Sequence, residues 1–207
     1  VNEARAATLA LTHRGPDAQG EFIDIEKGIF LGHRRLKIID LSPLANQPME
    51  KNGLVLSFNG EIYNFQSIKS RLEGLGHSFT TLSDTEVFVD AWKKWGRKSL
   101  DELDGMFALS LWDGTFGWLA VDPFSEKQIY YAHTDYGLVF SSELELLAEF
   151  VNAKATLASS MPDFITLGYI PSPKTIFPSI KKLDPATWLH IRAGKIINSG
   201  KYWNPDG

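Results

Sequence analysis

Apolar and polar residues alternate along the first two thirds of the chain in short runs that are typical of β-strands. Most of these runs are bounded by Gly, Asn or Asp, which favour turns. The pair Asp113 and Gly114 lies between two runs and is a strong hairpin signal, and "DYG" at 135–137 lies between another two. The predicted strands are 21–25, 54–58, 106–112, 116–121, 129–132 and 138–141.

Three segments show features of amphipathic helices. The clearest begins at Ser83, because Ser83 and Glu86 match the S-x-x-E capping box, and it ends at Gly96. A second helix is predicted over 65–76 with Asn64 as its N-cap, and a third over 142–150. The apolar stripe of the clearest helix is Val87, Phe88, Ala91 and Trp92.

The last part of the chain is rich in proline, and we predict that 161–207 forms an extended wrapping segment. A hairpin over "RAGK" at 192–195 is expected to close it. No internal repeat or flexible linker divides the sequence, so 1–207 is predicted to be one domain. Many antiparallel strands with a few helices predict an α+β fold rather than a doubly wound sheet.

Composition narrows the classes of function. Hydrophobic residues make up 43% of the 207 residues and aromatic residues 12%, which is enough to bury a full core. The net charge of −4 has no long basic run, so we expect neither nucleic-acid nor membrane binding. No apolar run approaches the roughly 20 residues of a membrane span and no secretory signal is visible, so a cytoplasmic protein is expected.

Cysteine and histidine usage limits the chemistry further. The chain contains no cysteine, which excludes disulfides, thiolate metal sites and a cysteine nucleophile within these residues. Its five histidines are scattered without the spacing of a metal site, so no metal is expected. No G-x-x-x-x-G-K-[ST] phosphate loop occurs either.

The stretch "LSFNGEIYNF" at 56–65 contains the first candidate site. An Asn-Gly pair usually marks a hairpin, but no matching strand follows, and the next residues predict a helix start. We therefore predict a corner between a buried strand and a helix. The Asn59 amide and the Gly60 N–H would supply the two donors of an oxyanion hole, and a glycine leaves room for a substrate. A plain turn is the alternative.

Two charged positions are further candidates. Arg34 and Arg35 follow an apparent strand, and a surface basic pair is the usual explanation of such a pattern. The alternative is that one guanidinium points into a cleft and binds a carboxylate through two hydrogen bonds. Asp84 lies in the first turn of a predicted helix, where the helix dipole favours an acidic residue in any case. It could also receive an ammonium group.

The order and spacing of five motifs resemble one known family. "HRGPD" (13–17), "GHRRLKIIDLS" (32–42), "NGEIYN" (59–64), "SDTEV" (83–87) and "LDGMFAL" (103–109) resemble the glutamine amidotransferase domain of asparagine synthetases. These are class II amidotransferases of the N-terminal-nucleophile hydrolase type. The resemblance covers nearly the whole chain, including "FSSE" and "GYIPSPKTIFPSIKKLDP". It implies an αββα four-layer sandwich of two antiparallel sheets flanked by helices, with glutamine bound at the strand ends.

The resemblance also implies roles for individual residues. Arg35 would hold the α-carboxylate of glutamine and Asp84 its α-ammonium group. Asn59 and Gly60 would donate to the oxyanion, and Glu61 would flank it. A cationic fork, an anionic end and two neutral donors together describe a receptor for a zwitterionic amino acid. The implied pocket lining is Leu36, Ile38 and Ile39.

The departures from the family pattern modify this picture. The family's nucleophile is an N-terminal cysteine in "CGI", so this chain is expected to lack a Cys-bearing strand and to be inactive alone. The exposed edge left by that strand predicts homodimers. A stretch like "RDxxGxKPLYY" reads "VDPFSEKQIYY" here, which predicts a remodelled loop at 121–131. Leu82 replaces a usual Gly and is expected to narrow the pocket.

The resemblance implies a glutaminase domain whose partners are L-glutamine and a synthetase domain of the same parent chain. The parent would transfer ammonia to an ATP-activated carboxylate. ATP and Mg²⁺ are expected only in that second domain, toward which 161–207 would extend, and no cofactor is expected here. The alternatives are a catalytically dead module that binds glutamine or scaffolds a partner, and an amidotransferase for an acceptor other than aspartate.

Overall fold

The centre of the protein is an antiparallel sheet, seen in a computed structural model that describes residues 1–157 and 160–205. The strands are β1 (Ala18–Asp24), β2 (Ile29–Arg35), β3 (Met49–Lys51), β4 (Leu54–Ile62), β5 (Gly105–Trp112), β6 (Gly117–Val121), β7 (Tyr130–Thr134), β8 (Gly137–Ser141), β9 (Ile180–Lys182), β10 (Thr187–Arg192) and β11 (Lys195–Lys201). The α-helices are α1 (Asn2–Ala10), α2 (Phe65–Glu73), α3 (Asp84–Trp95), α4 (Leu144–Phe150) and α5 (Met161–Leu167).

Three antiparallel ladders make up the strand layers. The central sheet has the order β11-β10-β6-β5-β4-β3, a second ladder has the order β8-β7-β9, and β1 pairs with β2. Leu31 of β2 packs with Val55 and Trp112 of the central sheet, so the β1–β2 ladder covers one part of that sheet. Ile129, just before β7, packs with Ala108 and neighbouring central-sheet residues, so the β8-β7-β9 ladder covers another part.

Helices cover the outer face of each strand layer. Phe88 and Trp92 of α3 and Leu72 of α2 pack on the central sheet, whereas Leu147 of α4 packs with Ala132 of β7. The layer order is therefore helix, sheet, sheet, helix, and the α+β, αββα prediction is confirmed. The second strand layer differs from the expectation of one continuous sheet, because it consists of two ladders that do not pair with each other in the described residues.

Most helices and strands lie where the sequence predicts them, but several local predictions are wrong. The strand predicted at 54–58 continues to Ile62 as β4, and residues 161–167 form a helix where an extended segment was expected. The remainder of the predicted wrapping segment supplies β9, β10 and β11, and the "RAGK" hairpin joins β10 to β11. The chain end is thus integral to the central sheet. Helix α1 has Thr8 as its one buried residue, which explains its weak sequence signal.

The capping box predicted for α3 is incomplete. The Ser83 hydroxyl accepts a hydrogen bond from the Thr85 N–H at 3.1 Å, as an N-cap residue does. Glu86 does not return a bond to Ser83, because its carboxylate binds Thr80, Thr81 and Lys51 instead. No helix among residues 1–157 and 160–205 is long and apolar enough to cross a lipid bilayer.

Candidate active site

Asn59 and Gly60 lie inside strand β4, where they pair with Ala108 and Phe107 of β5. The predicted corner between strand and helix is therefore wrong. Gly60 has φ +149°, and a Cβ placed on it would lie 2.0 Å from the Met106 carbonyl oxygen of β5. The neighbouring strand, rather than room for a substrate, is the structural reason for glycine at this position.

The Gly60 N–H nevertheless donates no hydrogen bond to its neighbouring strand β5. Phe107 donates its N–H to the Asp122 carboxylate at 3.2 Å and accepts a hydrogen bond from the Asp122 N–H at 2.8 Å. Both polar groups of Phe107 thus point away from β4. Gly60, which faces Phe107 across the antiparallel strands, is therefore in a non-hydrogen-bonded position. In such a position the N–H points away from the partner strand, so the Gly60 N–H points away from β5.

Alternation along β4 directs the polar side chains toward the second strand layer. Leu56, Phe58 and Ile62 belong to the core beneath α2 and α3, and the intervening residues face the other way. Ser57 meets His33 of β2 across the layers, with Oγ 2.9 Å from Nδ1. The Asn59 and Glu61 side chains follow Ser57 on this inner face.

A cavity of about 930 Å³ lies between the two strand layers and reaches the start of α3. All eight residues named from the sequence line it, so the structure brings them around one space. They are Arg35, Leu36, Ile38, Ile39, Asn59, Gly60, Glu61 and Asp84. Ile38 is 71% exposed and lies on the rim.

Arg35 is buried at the end of β2 and organises the loop that follows. Its Nη1 donates to the Ser42 carbonyl and to Asn46 Oδ1, both at 2.9 Å, and its Nη2 donates to the Asp40 carbonyl. A guanidinium has five N–H donors. The Nε–H and the second Nη2–H have no hydrogen-bond partner within 1–157 and 160–205, and they remain for a ligand.

Arg34 also lines the cavity, but its guanidinium is held on the opposite side of β2 by the segment before β1 and by Gln19 of β1. Its Nε donates to the Gly15 carbonyl at 2.9 Å and its Nη1 to Gln19 Oε1 at 3.0 Å. The "HRGPD" motif therefore holds the end of β2 by hydrogen bonds. The Gly15 carbonyl binds Arg34, and Asp17 accepts a hydrogen bond from the Lys37 N–H at 2.9 Å. Arg35 is the buried arginine of the pair, and it shares its side of β2 with His33, which contacts Ser57 of the central sheet.

Asp84 is a buried carboxylate at the first residue of α3. One oxygen accepts the Ile62 N–H at 3.0 Å, and Asp84 forms no salt bridge with any residue that the structure describes. Burial raises the pKa of Asp84 above its usual value, and the nearby Glu61 charge raises that pKa further. A cationic ligand group would remove this electrostatic penalty.

Several residues around the site were not singled out from the sequence. The buried Gln47 accepts the Phe58 N–H and reaches Thr85, and Asp40 binds the Leu82 N–H at 2.8 Å. Burial, reinforced by the Arg35 charge, lowers the pKa of His33 to about 4, so His33 is neutral near pH 7. A carboxylate or amide in a loop gives no sequence signal of the backbone group that it will bind.

Leu82 and the 121–131 loop, two departures from the family pattern, lie in different surroundings. Leu82 is 69% exposed and does not line the cavity, so the expectation that it narrows the pocket is wrong. The 121–131 loop is organised around buried Asp122, which accepts N–H bonds from Phe124, Glu126 and Lys127 at 2.9–3.0 Å.

Within residues 1–157 and 160–205, no cluster of three or more His, Cys, Asp or Glu side chains could hold a metal ion.

Comparison with solved structures supports the layer order. The structure of glutamine phosphoribosylpyrophosphate amidotransferase from Bacillus subtilis matches with a TM-score of 0.61 and 23% identity, over 83% of this chain and 34% of that one. A structure described as the allosteric regulatory enzyme of purine biosynthesis matches with a TM-score of 0.58 and 22% identity, over the same shares. The chain therefore shares its fold with these two proteins.

Sequence comparison then gives the family. The profile of the family described as "Glutamine amidotransferase domain" matches residues 2–203, and the chain belongs to this family. Asparagine synthetase [glutamine-hydrolyzing] 1 of Bacillus subtilis is 34% identical over 93% of this chain and 31% of its own length.

Two further relatives show how far the likeness extends. Asparagine synthetase [glutamine-hydrolyzing] 3 of the same organism is 30% identical over 95% of this chain and 33% of its own length. Amidase chry2 of Gibberella zeae is 30% identical over 99% of this chain and 30% of its own length. The chain spans about a third of the length of these curated relatives.

Proposed function

We propose that the chain is the glutamine-binding domain of an asparagine-synthetase-like amidotransferase. In the parent protein this domain releases ammonia, which a separate synthetase domain transfers to an ATP-activated carboxylate. One observation carries the proposal: a buried guanidinium and a buried carboxylate line the same cavity as Asn59 and Gly60, and among the described residues the guanidinium keeps two unpartnered N–H groups and the carboxylate has no cation partner. This set is complementary to the two charged ends of free glutamine and to its side-chain amide.

Each group has a distinct task in this proposal. The Nε–H and remaining Nη2–H of Arg35 bind the α-carboxylate, and Asp84 binds the α-ammonium group. The Asn59 amide and the Gly60 N–H donate to the oxygen that becomes negative when the side-chain amide is attacked. Glu61 flanks this position. Leu36, Ile38 and Ile39 cover the aliphatic part of the ligand from the rim.

Binding and hydrolysis are separable in this chain, because it has no cysteine to act as the nucleophile. Calorimetric titration should show 1:1 binding of L-glutamine and much weaker binding of L-asparagine, whose side chain is one methylene shorter. Ammonia release from glutamine should stay at the level of a protein-free control. Absence of L-glutamine binding would refute the proposed function, and rapid ammonia release would refute the assigned mechanism.

A second candidate is an amidotransferase whose acceptor is not aspartate, since one relative of equal similarity, amidase chry2, is not named an asparagine synthetase. The parent protein should be incubated with ATP, Mg²⁺ and glutamine, and its ATP cleavage should be measured with and without aspartate. Aspartate-dependent cleavage supports the asparagine-synthetase proposal. Cleavage that depends on another carboxylate supports the second candidate, and a parent that binds but does not hydrolyse glutamine is a binding module.

We further propose that the synthetase domain of the parent contacts the surface around α5. Phe164, Ile165 and Leu167 of this helix are all more than half exposed. An exposed apolar group of this kind is typical of an interface. The restriction of ATP and Mg²⁺ to the synthetase domain, the absence of a cofactor here, and the cytoplasmic location stay predictions.

A further inference from the structure

Two carboxylates that have no assigned contact with glutamine hold the segments on either side of the cavity. Asp40 lies five positions after Arg35, in the loop that Arg35 organises. Glu86 lies one position after Thr85 in α3 and is 2% exposed. The hydrogen bonds of these carboxylates connect the loop after β2 with the residues immediately before Asp84.

Asp40 joins the two segments directly. Its Oδ1 accepts the Ser42 N–H at 2.7 Å, and its Oδ2 accepts the Leu82 N–H at 2.8 Å. Hydrogen bonds from Ser42 and Leu82 lower the pKa of Asp40, so it is ionised near neutral pH. Among the described residues, the bond to Leu82 is the hydrogen bond that links 36–42 to 80–83.

Glu86 fixes the other side of this link. Its carboxylate accepts hydrogen bonds from the N–H and hydroxyl groups of both Thr80 and Thr81, at 2.7–3.1 Å, and from Lys51 Nζ at 2.7 Å. Burial alone would raise the pKa of Glu86, but these hydrogen bonds lower it to about 2. Leu82 therefore follows a segment that α3 itself holds, and Asp84 follows Leu82 by two residues.

We propose that Asp40 is a positioning residue that sets the spacing between Arg35 and Asp84. This inference rests on the proposed function, because the spacing matters for a ligand that both residues bind at once. The Arg35 guanidinium is fixed to the Asp40 carbonyl, and the Asp40 side chain is fixed to the Leu82 N–H. The Asp40 residue thereby couples the position of the cationic group to that of the anionic group.

The test compares a ligand with two charged ends to ligands with one. L-Glutamine has both ends, glutaramate keeps the carboxylate without the ammonium, and 4-aminobutanamide keeps the ammonium without the carboxylate. In Asp40→Asn, an amide NH₂ replaces one acceptor and faces a backbone N–H. We expect the Kd of L-glutamine to rise about tenfold, and the Kd of each single-ended ligand to rise less than about threefold.

Two more variants separate position from charge and from a general loss of stability. Asp40→Glu keeps the charge but moves it by one methylene, so it should show the same selective weakening. Asp113→Asn is the matched control, because Asp113 also accepts two backbone N–H bonds, from Thr115 and Phe116, at a hairpin away from the cavity. It should leave all three affinities unchanged. Thermal unfolding and amide exchange at Leu82 check that each variant is folded and where it has loosened.

The possible results have separate meanings. Selective weakening of L-glutamine in both Asp40 variants supports the inference. Equal weakening of all three ligands, weakening in Asp40→Asn alone, or unchanged glutamine affinity would overturn it. If the unmodified chain fails to bind L-glutamine, the proposed function is refuted first and this inference falls with it.

Discussion

Replacement of Arg35 with alanine should abolish most of the affinity for glutamine, whereas replacement of Arg34 should not. The two arginines are adjacent on β2 and therefore point to opposite sides of the strand. Arg35 is buried and shares its side of β2 with His33, which contacts the central sheet, whereas Arg34 is held on the other side by Gly15, Pro16 and Gln19. Chemically identical substitutions at neighbouring positions make a matched pair.

The expected size of the effect follows from burial and from donor counting. Arg35 is 7% exposed, and loss of one partner of a buried charge pair costs about 2–5 kcal/mol. That range corresponds to roughly 30-fold to several thousand-fold in Kd. Lysine cannot restore the interaction, because its three N–H donors would serve either the three protein oxygens that Arg35 binds or the carboxylate, but not both.

Calorimetric titration with L-glutamine measures these differences. Arg35→Ala and Arg35→Lys should both bind far more weakly than the unmodified chain, and Arg34→Ala should stay within about threefold of it. Asp84→Asn keeps the size of the side chain but removes the charge, so it should weaken L-glutamine and leave glutaramate nearly unaffected. If Arg34→Ala is as damaging as Arg35→Ala, or Asp84→Asn has no effect, the proposed orientation of glutamine is wrong.

Three further predictions concern the fold. Gly60→Ala should destabilise the fold by about 3 kcal/mol or more in urea titrations, because the added Cβ would lie 2.0 Å from a backbone oxygen. The control is Gly74→Ala at the end of α2, where the nearest atom to the added Cβ is 3.4 Å away. This control should be neutral or stabilising. The pKa of about 4 for His33 lies below its value near 6.5 in the unfolded chain. Between about pH 6.5 and 4 the unfolded chain therefore binds a proton that the folded chain does not. The free energy of unfolding should fall with pH over this range, by at most about 1.4 kcal/mol per pH unit. His33→Gln should remove that part of the pH dependence, and an unchanged slope would contradict it. Finally, β2 and β8 each pair with one described strand, so sedimentation should show concentration-dependent dimers, and a monomer at high concentration would argue against pairing at these edges.

Elements with strong local signals could be predicted from the sequence. The stripe of Phe88 and Trp92 and the N-cap Ser83 located α3, and the Asp113–Gly114 pair located the hairpin between β5 and β6. The strand at 54–62 could not be bounded in the same way. Gly60 reads as a turn residue, but the backbone of β5 is what requires it, and that strand lies more than 40 residues later in the sequence.

The candidate site likewise contains some features that the sequence predicts and others that it does not. The candidate residues came from motifs that resemble a family, and the structure places all of them around one cavity. The contacts of Asp40, Gln47 and His33 could not be predicted, because their partners are Leu82, Phe58 and Ser57, which only the folded chain brings near. The distribution of the five Arg35 donors between loop and ligand likewise depends on the folded loop.

The place of the β10–β11 hairpin in the central sheet has a consequence for synthesis. Trp188 of β10 pairs with Ala120 of β6, and Tyr202 donates a hydrogen bond to the Val121 carbonyl at 2.7 Å. During translation the outer edge of β6 therefore stays open until β10 has left the ribosome. The nascent chain carries an unpaired strand edge between the synthesis of β6 and that of β10, so co-translational protection by a chaperone should matter more for this domain than for one whose sheet closes early.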